Sequence, residues 1–419
     1  MQDHSHYGVG IDVGTTTVRC VIGYQTESSD APNIVGVGAV PNSGMRRGVV
    51  VNIVSTAEAI DKALEEAERM SGHQVHSAVV SINGVHITAM SSKGVVAVGS
   101  QSHDISTDDL IRAEEAATIV QLPANREILQ VTPRSYQLDG QENIRDPLGM
   151  SGVRLELDAH VITALSPHLK NLVKAVEMTE TKARRLVVSG LAAARAVLSV
   201  AQMENGVALV DIGGSTTNIA VYEEGDLQHV AVIPIGSMNL TNDLAIGLRT
   251  DLDLAEKITL QHVSALRHSS KDQPKTIDLQ HNHEKFSFDV QEIDMIVEAR
   301  LEEIFELIDK ELKQIGRSGK LPGGVVLTGG GASLTNIREY AKQQLRLPVR
   351  IANLSGFSGI SDKVAKPEFA VALGLMMIDL DQNTQTSLRD AHQNGQNSGN
   401  KLLSNFLHQT SSVLKKFKP

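Results

Sequence analysis

The sequence predicts an α/β protein of two related lobes, with a smaller inserted unit and an amphipathic helix at its C-terminal end. Three observations carry this: a glycine–hydroxyl hairpin that occurs twice at domain spacing, a third strand–glycine–helix turn downstream, and a terminal segment with one apolar and one cationic face. The 419 residues, 41% of them hydrophobic, provide material for two or three structural units with buried cores. Aromatic residues make up 3% and tryptophan is absent, so aliphatic side chains must build those cores. The net charge of −10 argues against a nucleic-acid surface. A single cysteine, Cys20, has no internal partner for a disulfide, which fits a reducing cytosol. Met1-Gln-Asp-His-Ser-His lacks a basic start followed by an apolar run, so no signal peptide is expected. No apolar stretch reaches the ~18–20 residues that cross a bilayer.

Residues 7–24 and 207–222 each read as an apolar strand, an aspartate, a glycine with small hydroxyl residues, and a second apolar strand. That pattern predicts a β-hairpin with a tight turn. Asp12 and Asp211 lie 199 residues apart, the spacing of a repeated domain and not of a short module. Glycines at Gly14, Gly213 and Gly214 let backbone N–H groups converge on one point as an anion nest. Thr15, Thr16, Thr17, Ser215, Thr216 and Thr217 add hydroxyl donors. A carboxylate beside polyphosphate is repulsive by itself, so Asp12 and Asp211 predict a hydrated Mg²⁺ between them and the phosphates, held through water. Two ordinary Gly/Ser/Thr turns are the plainer alternative.

The third turn follows a strand at 325–328, where Gly329, Gly330 and Gly331 precede a helix expected from Ser333 or Leu334. Glycines there admit close approach of a flat base or an α-phosphate. Together the three turns predict a nucleotide cleft between two halves.

After a polar spacer at 383–400, Leu402, Leu403, Phe406, Leu407, Thr410, Val413, Leu414 and Phe417 recur at helical steps. Lys401, Lys415, Lys416 and Lys418 supply cations, and no acid interrupts them. Such a helix suits a lipid interface. Each apolar group contributes roughly 1.5–3 kcal/mol when fully buried, and each lysine about 1 kcal/mol near anionic lipid. Docking of residues 401–419 on the chain's own body is the alternative.

The three turns, in this order, resemble those of the superfamily of actin, heat-shock chaperones and sugar kinases. Within it, residues 79–87, 189–198, 235–248, 255–256 and 367–374 are similar to the FtsA family of bacterial cell-division proteins, across about nine-tenths of the chain. The resemblance implies an actin-like (ribonuclease H-like) fold. Subdomain 1A would comprise 1–83, 163–202 and 355–382; the family's own insert, 1C (SHS2-like), 84–162; subdomain 2A, 203–240 and 300–354; and 2B, 241–299. It further implies ATP and Mg²⁺ as ligands, with Glu256 contacting the adenosine. The implied role is a scaffold that forms filaments on the cytoplasmic face of the cell membrane, tethers FtsZ through its C-terminal peptide, and recruits later division proteins through 1C. Hydrolysis would be at most slow. Thr17 and Thr259 stand where many members carry lysine, Ser215 where a third glycine is common, and Asn218 where aspartate is common. Arg19 shares a strand face with Thr17 by parity.

Residues 104–121 predict a capped helix in the insert, flanked by strand-like runs at 94–98 and 155–163. Residues 289–314 predict a long helix with Ile293, Ile296, Val297, Leu301, Ile304, Phe305 and Ile308 facing a core. On that helix Arg300 is a candidate contact for the acidic FtsZ peptide, with an intrahelical pair to Glu303 as the alternative. His262, His268, His281 and His283 are scattered among polar residues and read as surface histidines, and Arg46-Arg47 as surface charge. A sugar kinase would need an aspartate base beside an acceptor hydroxyl, for which no separate motif is present, and a pilus-assembly scaffold of related architecture would normally lack the tail.

Overall fold

The structure, a computed structural model, describes residues 6–26, 31–99, 103–267 and 275–393, the side chains of His6 and of 382–393 excepted. Residues 401–419, and with them the membrane residues named above, lie outside this set.

Two sheets form the lobes. In the first, the strands run in the order Lys182–Val188, Ser77–Ile82, His6–Val13, Thr17–Gln25, Asn33–Pro41 and Ser358–Gly359. In the second, the order is Val349–Ile351, Val325–Thr328, Val207–Ile212, Thr217–Glu223 and Asp226–Ile233. Each contains a three-stranded antiparallel meander whose first strand pairs in parallel with a later strand. The repeated hairpin is therefore the visible part of a repeated sheet. Strands such as Val207–Ile212, buried at every position, read as continuous apolar runs because helices cover both faces.

Between the sheets lie two helices, Ser189–Val197 and Ala370–Gln393. They touch backbone to backbone: a Cβ on Gly374 would stand 1.7 Å from the Ala192 carbonyl oxygen. Ala192, Ala193 and Ala194 are fully buried, so small residues set the separation of the lobes. The second helix is fastened to the first sheet by buried Asp379. Its carboxylate accepts from the Val9 N–H at 2.9 Å and pairs with Arg184 at 2.7 Å. Ala370–Gln393 also continues into residues that the polar composition had marked as spacer, so helix replaces linker as far as Gln393.

The insert folds as a four-stranded sheet in the order Thr88–Ala97, Arg154–Leu165, Arg126–Leu138 and Gln141–Ile144. One helix, Thr107–Ala117, packs on it, narrower than the predicted 104–121 and capped by Ser106 and Asp109 in a reciprocal box. Leu155, Leu157, Ile105 and Ala113 form its own core. The insert also reaches the second lobe, where Arg145 lies 3.3 Å from Glu204 and 3.7 Å from Glu224. Val290–Gln314, capped by Asp289, buries Ile293, Val297, Leu301, Ile304, Phe305 and Ile308 and half-buries Ile296. Among the described residues no helix is long and apolar enough to cross a membrane.

Candidate nucleotide cleft

Both predicted turns form as hairpins, His6–Val13 with Thr17–Gln25 and Val207–Ile212 with Thr217–Glu223. Their carbonyls are pinned from outside. Asn42 donates to the oxygens of Gly14 and Thr16, each at 2.8 Å. The N–H groups of Ser237 and Met238 bond the oxygens of Gly213 and Gly214. What each turn offers an incoming anion is then its N–H groups and hydroxyls.

The two turns meet. Ser215 Oγ donates to Thr15 Oγ1 at 2.8 Å, and a Cβ on Gly214 would stand 2.6 Å from Thr16 Cγ2. The predicted cleft between the halves is thus bridged by a hydroxyl contact between the two turns expected to take phosphate. Ser215 in place of a third glycine supplies the bridge.

Asp12 and Asp211 sit at the base of these turns, 8% and 5% exposed. Ser81 Oγ donates to Asp12 at 2.8 Å, and Asn218 Nδ2 to Asp211 at 3.0 Å. Burial pushes the Asp12 carboxyl up from its ordinary value, offset by Arg19 and Ser81. Burial, and then the charge on Asp12, push Asp211 up to about 7. Two buried carboxylates that repel each other are the donor set a divalent cation neutralises. Asn218 where an aspartate is common keeps a third acid out of this space, and its Oδ1 is buried without a partner. Among the described residues no three His, Cys, Asp or Glu side chains converge. An ion here would keep water or ligand oxygens in its shell, as Mg²⁺ usually does.

The third turn differs from expectation. Gly330–Ser333 is a single 3₁₀ turn, and the α-helix begins only at Ile337. Thr335 pairs with Ser264 in a parallel bridge, and Asn336 Nδ2 donates to Ser264 Oγ at 2.9 Å. That tether holds Thr335 in a bridge and Asn336 in a left-handed turn (φ 61°) where the helix was predicted. Gly329, at φ +82°, leaves room for Asp211, and Gly331 for Ile212. At Gly330 a Cβ would meet nothing within 4 Å, and its φ is not positive. The protein's own packing therefore gives no reason for glycine at 330, which fits a surface kept clear for a ligand. Gly330→Val should leave the melting temperature unchanged, since the space is open, yet weaken adenine-nucleotide binding by about tenfold or more, a cost of ~1.4 kcal/mol. Unchanged affinity in a fluorescence titration would remove Gly330 from the site.

Glu256 is exposed on helix Leu252–His262. Thr259 is engaged locally, 3.2 Å from Thr241 Oγ1 and 2.9 Å from the Ala255 carbonyl. Lys257 lies 3.3 Å from His281, which ends strand Thr276–His281. His281 also lies 3.4 Å from Asp251, and His268 is outside the described residues. Arg300 is paired with Asp243 at 2.5 Å and with Glu303, its side chain 19% exposed. The intrahelical pair is thus present together with a second acid from helix Ser237–Gly247.

Sequence reasoning missed Ser81 and Asn83. Asn83 Nδ2 donates to Thr216 Oγ1 at 2.9 Å, joining the first lobe to the second turn. The available signal was positional: Ser77–Ile82 runs parallel to His6–Val13, and parallel neighbours deliver their C-terminal ends to one edge, where sites form.

Known proteins agree with this architecture. The family model "Cell division protein FtsA" matches residues 208–374, and "SHS2 domain inserted in FTSA" matches residues 84–163. Cell division protein FtsA of Bacillus subtilis is 37% identical over 395 residues, covering 94% of this chain and 86% of that protein. The Pseudomonas aeruginosa protein of the same name is 36% identical over 377 residues, covering 90% of each chain. The Escherichia coli K12 protein is 32% identical, covering 88% and 89%. Among solved structures, the PilM-PilN type IV pilus biogenesis complex aligns with a TM-score of 0.65 at 16% identity, over 89% of this chain and 98% of that one. MreB5 of Spiroplasma citri bound to ADP aligns with a TM-score of 0.55 at 12% identity, over 92% and 99%. These structures share the actin-like fold. The expected relationship stands, and the chain belongs to the FtsA family of cell division proteins.

Proposed function

We propose that this protein binds ATP with Mg²⁺ in the cleft, assembles into filaments on the cytoplasmic face of the cell membrane at the division site, and there anchors FtsZ. In this reading residues 401–419 form the lipid contact, the insert recruits later division proteins, and hydrolysis is at most slow. The observation that carries it is the meeting of two duplicated turns over the buried pair Asp12 and Asp211. Bound Mg²⁺–ATP would supply the positive charge those carboxylates lack and a phosphate chain for the turn donors.

The Thr15–Ser215 bond spans the two lobes, so phosphates seated between the turns must replace it with bonds of their own. Occupancy then biases the angle between lobes and the surfaces each lobe presents to neighbours. Thr15, Thr16, Thr17, Gly14, Gly213, Gly214, Ser215 and Thr216 serve as donors to the phosphates. Gly329, Gly330, Gly331 and Glu256 serve the nucleoside end. Arg300 supports peptide capture by exchange, since a peptide carboxylate can take the place of Asp243 or Glu303.

One set of pelleting assays tests this. The full chain with ATP and Mg²⁺ should sediment with anionic vesicles and carry the FtsZ C-terminal peptide with it. Deletion of 401–419 should abolish vesicle binding, removing several apolar groups at roughly 1.5–3 kcal/mol each, while peptide binding persists. Arg300→Glu should lose the peptide and keep the vesicles. Equal pelleting of the full and shortened chains would sink the anchor reading.

A further inference from the structure

We propose that Arg19 is the fixed cation beside the cleft floor, a positioning residue whose charge balances Asp12 and Asp211 for a metal–phosphate ligand and supplies from the second strand the charge that the turn Gly14–Thr17 lacks. The inference rests on the nucleotide reading above and names a residue through which the site works.

Arg19 is the register partner of Asp12 across the first hairpin, and directly paired residues of an antiparallel ladder project from one face. Its side chain is only 16% exposed. The guanidinium carbon stands 5.4 Å from the centre of the Phe369 ring, a cation–π distance. The turn that carries Phe369 is fastened to the third glycine motif, since Thr328 Oγ1 donates to the Pro367 carbonyl at 2.8 Å. Arg19 is therefore gripped where the first hairpin and the third motif come together.

Two features set it apart from an arginine that merely pairs with a neighbour. Its contact to Glu368 is long, 3.7 Å, and its Nε is buried without a partner. A guanidinium so placed retains donor capacity. Its charge acts on both cleft carboxylates, opposing the rise that burial imposes on each. Gly14-Thr15-Thr16-Thr17 contains no cation, and among the described residues Arg19 is the one cation that acts on both aspartates.

The test is equilibrium binding of a fluorescent ATP analogue with Mg²⁺ to the full chain, alongside melting of the nucleotide-free protein. R19Q should weaken binding about tenfold or more, and R19K by no more than about threefold, since the point charge survives without the planar fork. Adding T17K to R19Q should recover most of the lost affinity by returning a cation to the turn, a rescue that a purely structural role does not produce. Wild-type affinity in R19Q would overturn the proposal. So would equal losses in R19Q and R19K without rescue by T17K, which would leave Arg19 as a brace for Phe369. If R19Q does not fold, R19K decides: retained affinity supports the proposal, and a loss beyond tenfold at an unchanged melting temperature overturns it. Absence of binding by the unmodified chain would instead overturn the nucleotide reading, and this proposal with it.

Discussion

Asp211→Asn is expected to stabilise the metal-free protein above neutral pH while abolishing its Mg²⁺-dependent nucleotide binding. In the folded chain the Asp211 carboxyl is raised to about 7 from its ordinary 3.8, first by burial and then by Asp12. Between those two values the unfolded chain releases this proton and the folded chain keeps it. Stability therefore falls as pH rises through that window, and above about 7 the whole cost of a buried charge remains, on the order of 4 kcal/mol. Asparagine removes that dependence and can still bond Asn218, whose Nδ2 lies 3.0 Å from the Asp211 carboxylate. Asp12 is raised in the same direction, so some slope persists. Thermal melts of wild type and variant from pH 4.5 to 8.5 without divalent ions should converge at the acid end and separate towards alkaline pH, with the variant melting higher. Parallel curves across the range would show that Asp211 does not carry the buried charge. Addition of Mg²⁺ and ATP should raise only the wild-type curve, through binding to the folded state alone.

The second large effect is expected at Gly374. A methyl there would stand 1.7 Å from the Ala192 carbonyl oxygen, and backbone on a helix buried between two sheets has little freedom to retreat. Gly374→Ala must part the two central helices, at a cost of about 3 kcal/mol or more, equivalent to a fall in melting temperature of roughly 6–10 °C. The helix gains intrinsic propensity from the same change, by up to about 1 kcal/mol, so steric exclusion has to win for the prediction to hold. Gly72→Ala is the contrasting case. It has open space around it but a φ of +68°, so it should cost only about 1 kcal/mol. Equal small shifts in both variants would mean that the lobe spacing does not depend on Gly374. Loosening the central pair should also weaken nucleotide binding, because the two turns are carried by opposite lobes.

Local pattern made much of this legible. Alternation from apolar strand to glycine turn identified both hairpins to within a residue or so, and a repeat at 199 residues identified a duplicated lobe. The spacing of Ile293, Val297, Leu301, Ile304 and Ile308 identified helix Val290–Gln314 with its buried face. Elements failed where a distant contact overrode local preference. The helix expected from Ser333 is delayed to Ile337 because residue 264, some seventy positions earlier, holds Thr335 in a bridge and Asn336 in a left-handed turn. The polar run after residue 382 continues as helix to Gln393, since a long apolar stretch before it supplies an anchored start and elongation is easier than nucleation.

The chemistry of the site divides in the same way. Residue type and spacing alone named Asp12, Asp211 and their glycine and hydroxyl neighbours, because hairpins are local and the chain writes each one contiguously. Only the tertiary structure brought Ser215 onto Thr15, Asn83 onto Thr216, and Arg19 over the ring of Phe369. Those contacts join residues up to some 350 positions apart, and their geometry follows from how closely two sheets approach across Gly374 and Ala192. That distance is a property of packed backbones, which no local pattern of polar and apolar residues encodes.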